Sequence, residues 1–128
     1  MTSSVTALLV SHDGSRWLPS VIEGVRSQRV PVARVVAIDT GSKDESAALL
    51  EEAFGTVQRV PGSTTFPQAV RLGLEQLAES GDPAEWVWIL HDDANPDPGA
   101  LEALLAAAAE DPDADVLGPK LRELTSRV

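Results

Sequence analysis

Two adjacent carboxylates, Asp92 and Asp93, follow directly on the apolar run Trp86-Val87-Trp88-Ile89-Leu90 and precede a loop broken by Pro96 and Pro98. Acids in such a place pack poorly and bind hard cations well, so the pair marks a candidate metal-assisted site. His91 stands beside them, and its imidazole could either ligate a metal or orient Asp93 from behind. Two other apolar runs end as abruptly, one in Ser11-His12-Asp13 and one in Asp39-Thr40-Gly41. Singly, each has a plain explanation. Asp13 before Gly14 is a common turn pair, Asp39 could simply turn the chain, Asp44 could face a helix dipole, and Asp92 and Asp93 could cap backbone amides. Convergence of the three ends on one sheet edge would make Asp39 and the acidic pair a binding constellation.

The elements between them say how they could converge. Residues 5–10, 34–38, 56–60 and 86–90 read as strands, each closed by turn residues. Leu18, Val21, Ile22 and Val25 recur at helical spacing, with Pro19 tolerable in the first turn and Trp17 as a staple at the helix start. Ser42 and Glu45 form a capping box for a helix through Phe54, and Gly55 ends it. Thr65 and Gln68 form a second box for a helix carrying Ala69, Val70, Leu72, Leu74 and Leu77, with Gly81-Asp82-Pro83 beyond it. Asp97 caps and Pro98 opens a last helix through Leu101, Leu104, Leu105 and Ala108. Residues 115–117 can supply a fifth strand. Such alternation predicts a Rossmann-like α/β/α domain with a mostly parallel sheet of order 3-2-1-4, plus that fifth strand. Ligands of such sheets sit beyond the carboxyl ends of the strands, where the polar clusters lie. Trp86 and Trp88 share one strand face and read as core rather than as a sugar-stacking platform.

Composition narrows the function. The 128 residues suit one domain, and 43% hydrophobic with 23% charged residues is a globular balance. The absence of cysteine excludes a disulfide scaffold, a thiolate zinc site and a cysteine nucleophile. A net charge of −10 with scattered Lys and Arg argues against nucleic acid and against a polybasic membrane patch. It also means that a phosphate-bearing ligand needs a divalent ion or a placed Arg. The start of the chain has no signal-peptide pattern and no run is long enough to span a membrane, which points to the cytoplasm or to the cytoplasmic domain of a membrane-associated enzyme. Arg outnumbers Lys eight to two and Ala is abundant, a GC-rich bias of the kind common in bacteria. Asp93-x-Asn95-x-Asp97 fails as an EF-hand, since Pro98 and Leu104 stand where Gly and a bidentate acid belong. Walker A, Gly-x-Gly-x-x-Gly and nucleophile-elbow patterns are absent.

Four segments together resemble the family 2 glycosyltransferases of GT-A fold, in order and over nearly the whole chain. Residues 5–14 look like the first strand of that family, which usually ends in Pro-Thr-Tyr-Asn. Val35-Val-Ala-Ile-Asp-Thr-Gly-Ser-Lys-Asp-Glu-Ser46 is similar to its Val-Val-Asp-Asn-Gly-Ser-Thr-Asp block. Residues 66–74 resemble the helix that usually carries an Asn near Arg71, and residues 90–96 match the Asp-x-Asp metal loop and its following Pro. The resemblance implies that Ser11 and His12 line a base pocket, Asp39 binds the base, and Asp93 holds Mg2+ or Mn2+ on the diphosphate. It also implies a nucleotide-sugar donor and a glycan, lipid or polysaccharide acceptor, with transfer by single displacement. His91 replaces the first Asp of the loop, so Asp92 can contribute instead, and Arg71 in place of Asn can pair with a phosphate. Nothing after Pro119 resembles the acceptor half that carries the general base. The chain therefore reads as the N-terminal donor portion of a larger enzyme, inactive alone, with the base beyond Val128. A half-domain leaves a sheet edge open, which predicts a homodimer. The competing readings are a non-catalytic α/β regulatory module and a nucleotidyltransferase. Receiver domains carry their acid pair after the first strand, and nucleotidyltransferases a Gly-rich basic loop there; neither is present.

Overall fold

The computed structural model describes residues 4–81 and 84–118. Strands and helices alternate: β1 (Val5–Ser11), α1 (Leu18–Arg26), β2 (Arg34–Thr40), α2 (Ser46–Phe54), β3 (Gln58–Val60), α3 (Phe66–Glu79), β4 (Trp86–His91) and α4 (Ala100–Glu110). The four strands form one parallel sheet of order β3-β2-β1-β4, as the right-handed crossover rule predicts for this alternation. No strand forms over residues 115–117, where Val116 is 88% exposed, so the expected fifth strand is absent there. Asp82 and Pro83 of the expected turn, and Pro119 with the tail from Lys120, lie outside the described residues.

Every residue of β1 is buried, because the central strand of a parallel sheet is covered on both faces. Its side chains alternate between two cores. Ala7 and Leu9 join Ala37 and Leu90 under α1 and α2, where Leu18, Val21, Val25 and Leu50 meet them. Leu8 and Val10 join Val36 and Ile38 under α3, where Ala69 meets them. Full burial of a Leu, Ile or Val contributes roughly 1.5–3 kcal/mol, so these residues carry most of the fold. Gly73 lets α3 sit close to the sheet: a Cβ there would lie 2.7 Å from Leu8 Cδ1. Trp88 packs on the α1–α2 core and Val87 on the α3 core, which fits the expected strand alternation.

The helix starts depart from expectation in three places. The Thr65–Gln68 capping box is present, with reciprocal hydrogen bonds of 2.9 and 3.3 Å. The Ser42–Glu45 box is not: α2 begins at Ser46 with Glu45 at its N-cap, because the Ser42 hydroxyl is bonded to Asp39 instead. Asp97 and Pro98 do not open α4, which begins at Ala100. Its Leu101 N–H donates to Gln28 Oε1 at 3.0 Å, a partner 73 residues away. Trp17 is no staple either; it is 46% exposed, with the Arg16 guanidinium 5.5 Å from its ring centroid.

Candidate functional site

Parallel pairing brings the polar strand ends to one rim. Ser11 is level with Asp39, Asp39 with Arg59, and Val10 with His91. A cleft of about 280 Å3 opens there between β1, β2, β4 and the start of α3. Ser11, His12, Thr40, Gly62, Thr64, Phe66, His91 and Asp92 line it. Gly62 lies on its far wall because Gly41 turns the chain with φ +59, and a Cβ on Gly41 would stand 2.5 Å from the Gly62 nitrogen. Backbone abuts backbone at that wall, and no side chain fits between.

Asp39 is buried at the end of β2, 2% exposed, next to the cleft-lining Ser11 and Thr40. It accepts from Ser11 Oγ at 2.6 Å, from Ser42 Oγ at 2.5 Å and from the Ser42 N–H at 3.0 Å. A buried carboxylate survives only with such donors around it. The loop after β1 is fastened almost residue by residue. The N–H of Asp13 donates to Ser42 Oγ, that of Gly14 to Ser46 Oγ, and that of Ser15 to Asp44 Oδ2, at 2.8 to 3.0 Å. Asp13 itself holds φ 47, and its Oδ1 accepts from the Lys43 N–H. The Ser46 hydroxyl, and then the Ser15 and Ser46 amides, hold the Asp44 carboxyl well below its ordinary value despite some desolvation.

His12 forms part of the cleft wall. Its Nδ1 lies 2.6 Å from the Thr40 carbonyl oxygen, which can only accept, so the neutral ring carries its proton on Nδ1. Nε2 then presents a lone pair to solvent, 3.6 Å from Asp13 Oδ2. The His12 N–H donates to Asp92 Oδ2 at 2.8 Å. Asp92 is half-buried beneath this loop, and that burial, with Asp93 next to it, raises its carboxyl above the ordinary range. Asp93 is exposed. The His91 ring stacks on Phe66, centroids 4.0 Å apart and planes 9° from parallel.

The structure thus brings Ser11, His12, Asp39, His91, Asp92 and Asp93 to one rim. It does not bring Arg71, whose side chain is 83% exposed on α3 and paired with Glu75 at 3.8 Å. Sequence reading missed Thr40, Ser42, Ser46, Gly62 and Phe66. Of these, Ser42 gave a signal, and it was spent on a helix cap with Glu45. No group of three or more His, Asp or Glu among the described residues can hold an ion alone. Mg2+ commonly takes one or two carboxylates and completes its shell with water and substrate phosphate. An exposed Asp93 beside a partly engaged Asp92 fits that shared arrangement.

A parallel α/β sheet with ligand-type residues gathered beyond its carboxyl ends is the architecture of the GT-A nucleotide-sugar transferases. Solved structures share it. The chain superposes on Staphylococcus aureus TarS 1-349 in complex with UDP-GlcNAc with a TM-score of 0.70 at 16% identity, covering 84% of this chain and 31% of that one. It superposes on 4-diphosphocytidyl-2C-methyl-D-erythritol synthase with a TM-score of 0.64 at 21% identity, covering 87% of this chain and 57% of that one. The sequence pattern of glycosyl transferase family 2 matches residues 6–124, and the chain belongs to that family. It is 33% identical over 133 residues to the N-acetylglucosaminyl-diphospho-decaprenol L-rhamnosyltransferase of Mycobacterium tuberculosis, over 96% of this chain. The chain spans 43% of that relative's length.

Proposed function

We propose that this chain is the donor-binding part of a metal-dependent glycosyltransferase that moves a sugar from a nucleoside diphosphate to a lipid-linked or glycan acceptor. The observation that carries the reading is the single rim of strand ends where Ser11, His12, His91 and Asp92 line a cleft, with Asp39 buried behind Ser11 and Asp93 next to Asp92 in the chain. Family membership and the nucleotide-sugar complex of TarS support the donor class. The N-acetylglucosaminyl-diphospho-decaprenol in the relative's name favours a polyprenyl-linked sugar acceptor over a free glycan.

The cleft supplies recognition, and the cation supplies charge. Ser11, Asp39 and His12 form the base side, with Asp39 held behind Ser11 by its three donors and the His12 ring fixed by Thr40. Asp93 would hold Mg2+ or Mn2+, with water and the diphosphate completing its shell. When bound, that ion offsets the repulsion between an acidic protein and a diphosphate and stabilises the leaving group as a Lewis acid. The general base and acceptor site belong to chain beyond this portion. Among the described residues no helix is long and apolar enough to cross a membrane. The outer edge of β4, with Ile89 46% exposed, favours homodimer formation by the isolated chain, and a clean monomer in light scattering removes that idea.

Titration calorimetry with the uridine, guanosine and thymidine diphosphates, with and without Mn2+, tests the donor reading. Binding of one of them, tightened by Mn2+, is expected. Failure of all three in the presence of metal sinks it.

A further inference from the structure

We infer that Asp92 is a positioning residue rather than a cation ligand: its carboxylate latches the β1–α1 loop to the end of β4. The inference rests on the donor-site reading for its functional consequence, and on geometry for the latch itself. Loop 12–15 is held from the β2 side by Ser42, Asp44 and Ser46. From the β4 side, among the described residues, its one side-chain hydrogen bond is His12 N–H to Asp92 Oδ2. Asp92 reaches it because β1 and β4 run in parallel register up to Val10 beside His91, which puts His12, one residue past β1, and Asp92, one residue past β4, on the same rim. Space for the carboxylate exists because residue 14 is glycine; a Cβ there would overlap the Asp92 side chain. Two independent features, a hydrogen-bond donor and a missing side chain, therefore define one seat for this carboxylate, and the seat faces the loop.

The neighbouring acid has no such seat. Asp93 is exposed and free of hydrogen bonds to the loop, so it is the carboxylate presented to a cation. The latch makes the His12 wall and the Asp93 backbone a single unit. A nucleotide gripped at His12 finds the cation carboxylate already at a fixed distance, which raises affinity by removing a cost of ordering. Asp92 then acts on nucleotide affinity through His12, with or without metal, whereas Asp93 acts only through metal.

The test uses the full 128-residue chain, amide hydrogen exchange at His12 without ligand, and calorimetry of uridine, guanosine and thymidine diphosphates with and without Mn2+. In Asp92→Ala, His12 protection and metal-free nucleotide affinity are expected to fall about tenfold, the scale of one lost charged hydrogen bond, while the Mn2+-dependent gain persists. Gly14→Ala, which displaces the carboxylate without removing it, reproduces both losses. Asp92→Asn retains an acceptor oxygen and restores both. Asp93→Ala loses the Mn2+ gain. Thermal unfolding of each variant separates local loosening from loss of fold. Two results overturn the inference: unchanged His12 protection in Asp92→Ala, or an Asp92→Asn variant that keeps protection yet loses the Mn2+ gain. If the parent chain binds none of the nucleotides, the donor reading falls, and exchange at His12 in Asp92→Ala and Gly14→Ala still decides the latch.

Discussion

The loop after β1 and the loop after β4 face each other across the same rim, and they are built in opposite ways. Four successive amides of the first, His12 to Ser15, donate to side chains from other segments. In the second, Asp92 is latched to His12; Asp93, Ala94 and Asn95 are exposed; and at the far end Asp97 O and Pro98 O accept from Gln28 and from the Arg29 N–H. The first is a wall that keeps its shape without ligand. The second is an arm whose acid can meet an ion that arrives with the substrate. A site that binds a large anion with an acidic protein gains from this division, because recognition needs a preset surface and charge neutralisation needs access.

The contrast can be broken from either side. Asp39→Ala strikes the wall hardest: it leaves the Ser11 hydroxyl and both Ser42 donors without their acceptor. A loss of about 3 kcal/mol in urea unfolding is expected, together with loss of nucleotide binding. Gln28→Ala strikes the arm. Gln28 is buried, donates to Gly24 O and Asp97 O, and accepts from the first turn of α4. About 2 kcal/mol of stability should go with it, and amide exchange should rise from residue 97 through 101 while His12 to Ser15 stay protected.

Two acids of the rim, Asp44 behind the wall and Asp92 at the root of the arm, titrate in opposite senses. Asp44 lies below its ordinary 3.8 when folded, so its contribution is present above 3.8 and is lost as pH falls through the folded value. Asp92 lies above 3.8, so its contribution is present below 3.8 and is lost as pH rises through the folded value. Unfolding curves taken from neutral pH into acid should show Asp44→Asn less acid-sensitive than the parent, by an amount that salt reduces because Asp44 is exposed. Equal slopes would mean that the Ser15 and Ser46 contacts of Asp44 are not held in solution. The smallest effect is expected outside both loops. Arg71→Ala removes an exposed pair one helical turn long and should change stability by less than about 0.5 kcal/mol and nucleotide affinity not at all. A clear loss of affinity would put Arg71 on the donor phosphate after all.

Much of this architecture was legible beforehand because it follows from local signals. Apolar runs of the right length, punctuated by turn residues, placed all four strands, and crossover handedness placed them in order. The departures share one cause. Ser42 looks like a helix cap in the sequence, yet a buried carboxylate three residues earlier is a stronger claimant for its hydroxyl. Asp97-Pro98 looks like a helix start, yet the cap comes from Gln28, far away in the chain. Residues 115–117 have strand-like composition, but a strand needs a neighbour with free backbone groups in reach, and composition cannot supply one. Asp39, Asp92 and Asp93 were visible as a set, while the division of labour among them was not, because it depends on which oxygen meets which amide.

All four strands run the same way, so the rim opposite the cleft is made only of strand beginnings, where Glu85 is exposed and contributes its backbone N–H to Ser4. With no cysteine anywhere in the sequence, a thiol introduced at Glu85 is a unique chemical handle. The domain can be tethered there to a sensor surface with its mouth facing the flow, and every molecule on that surface will be oriented alike.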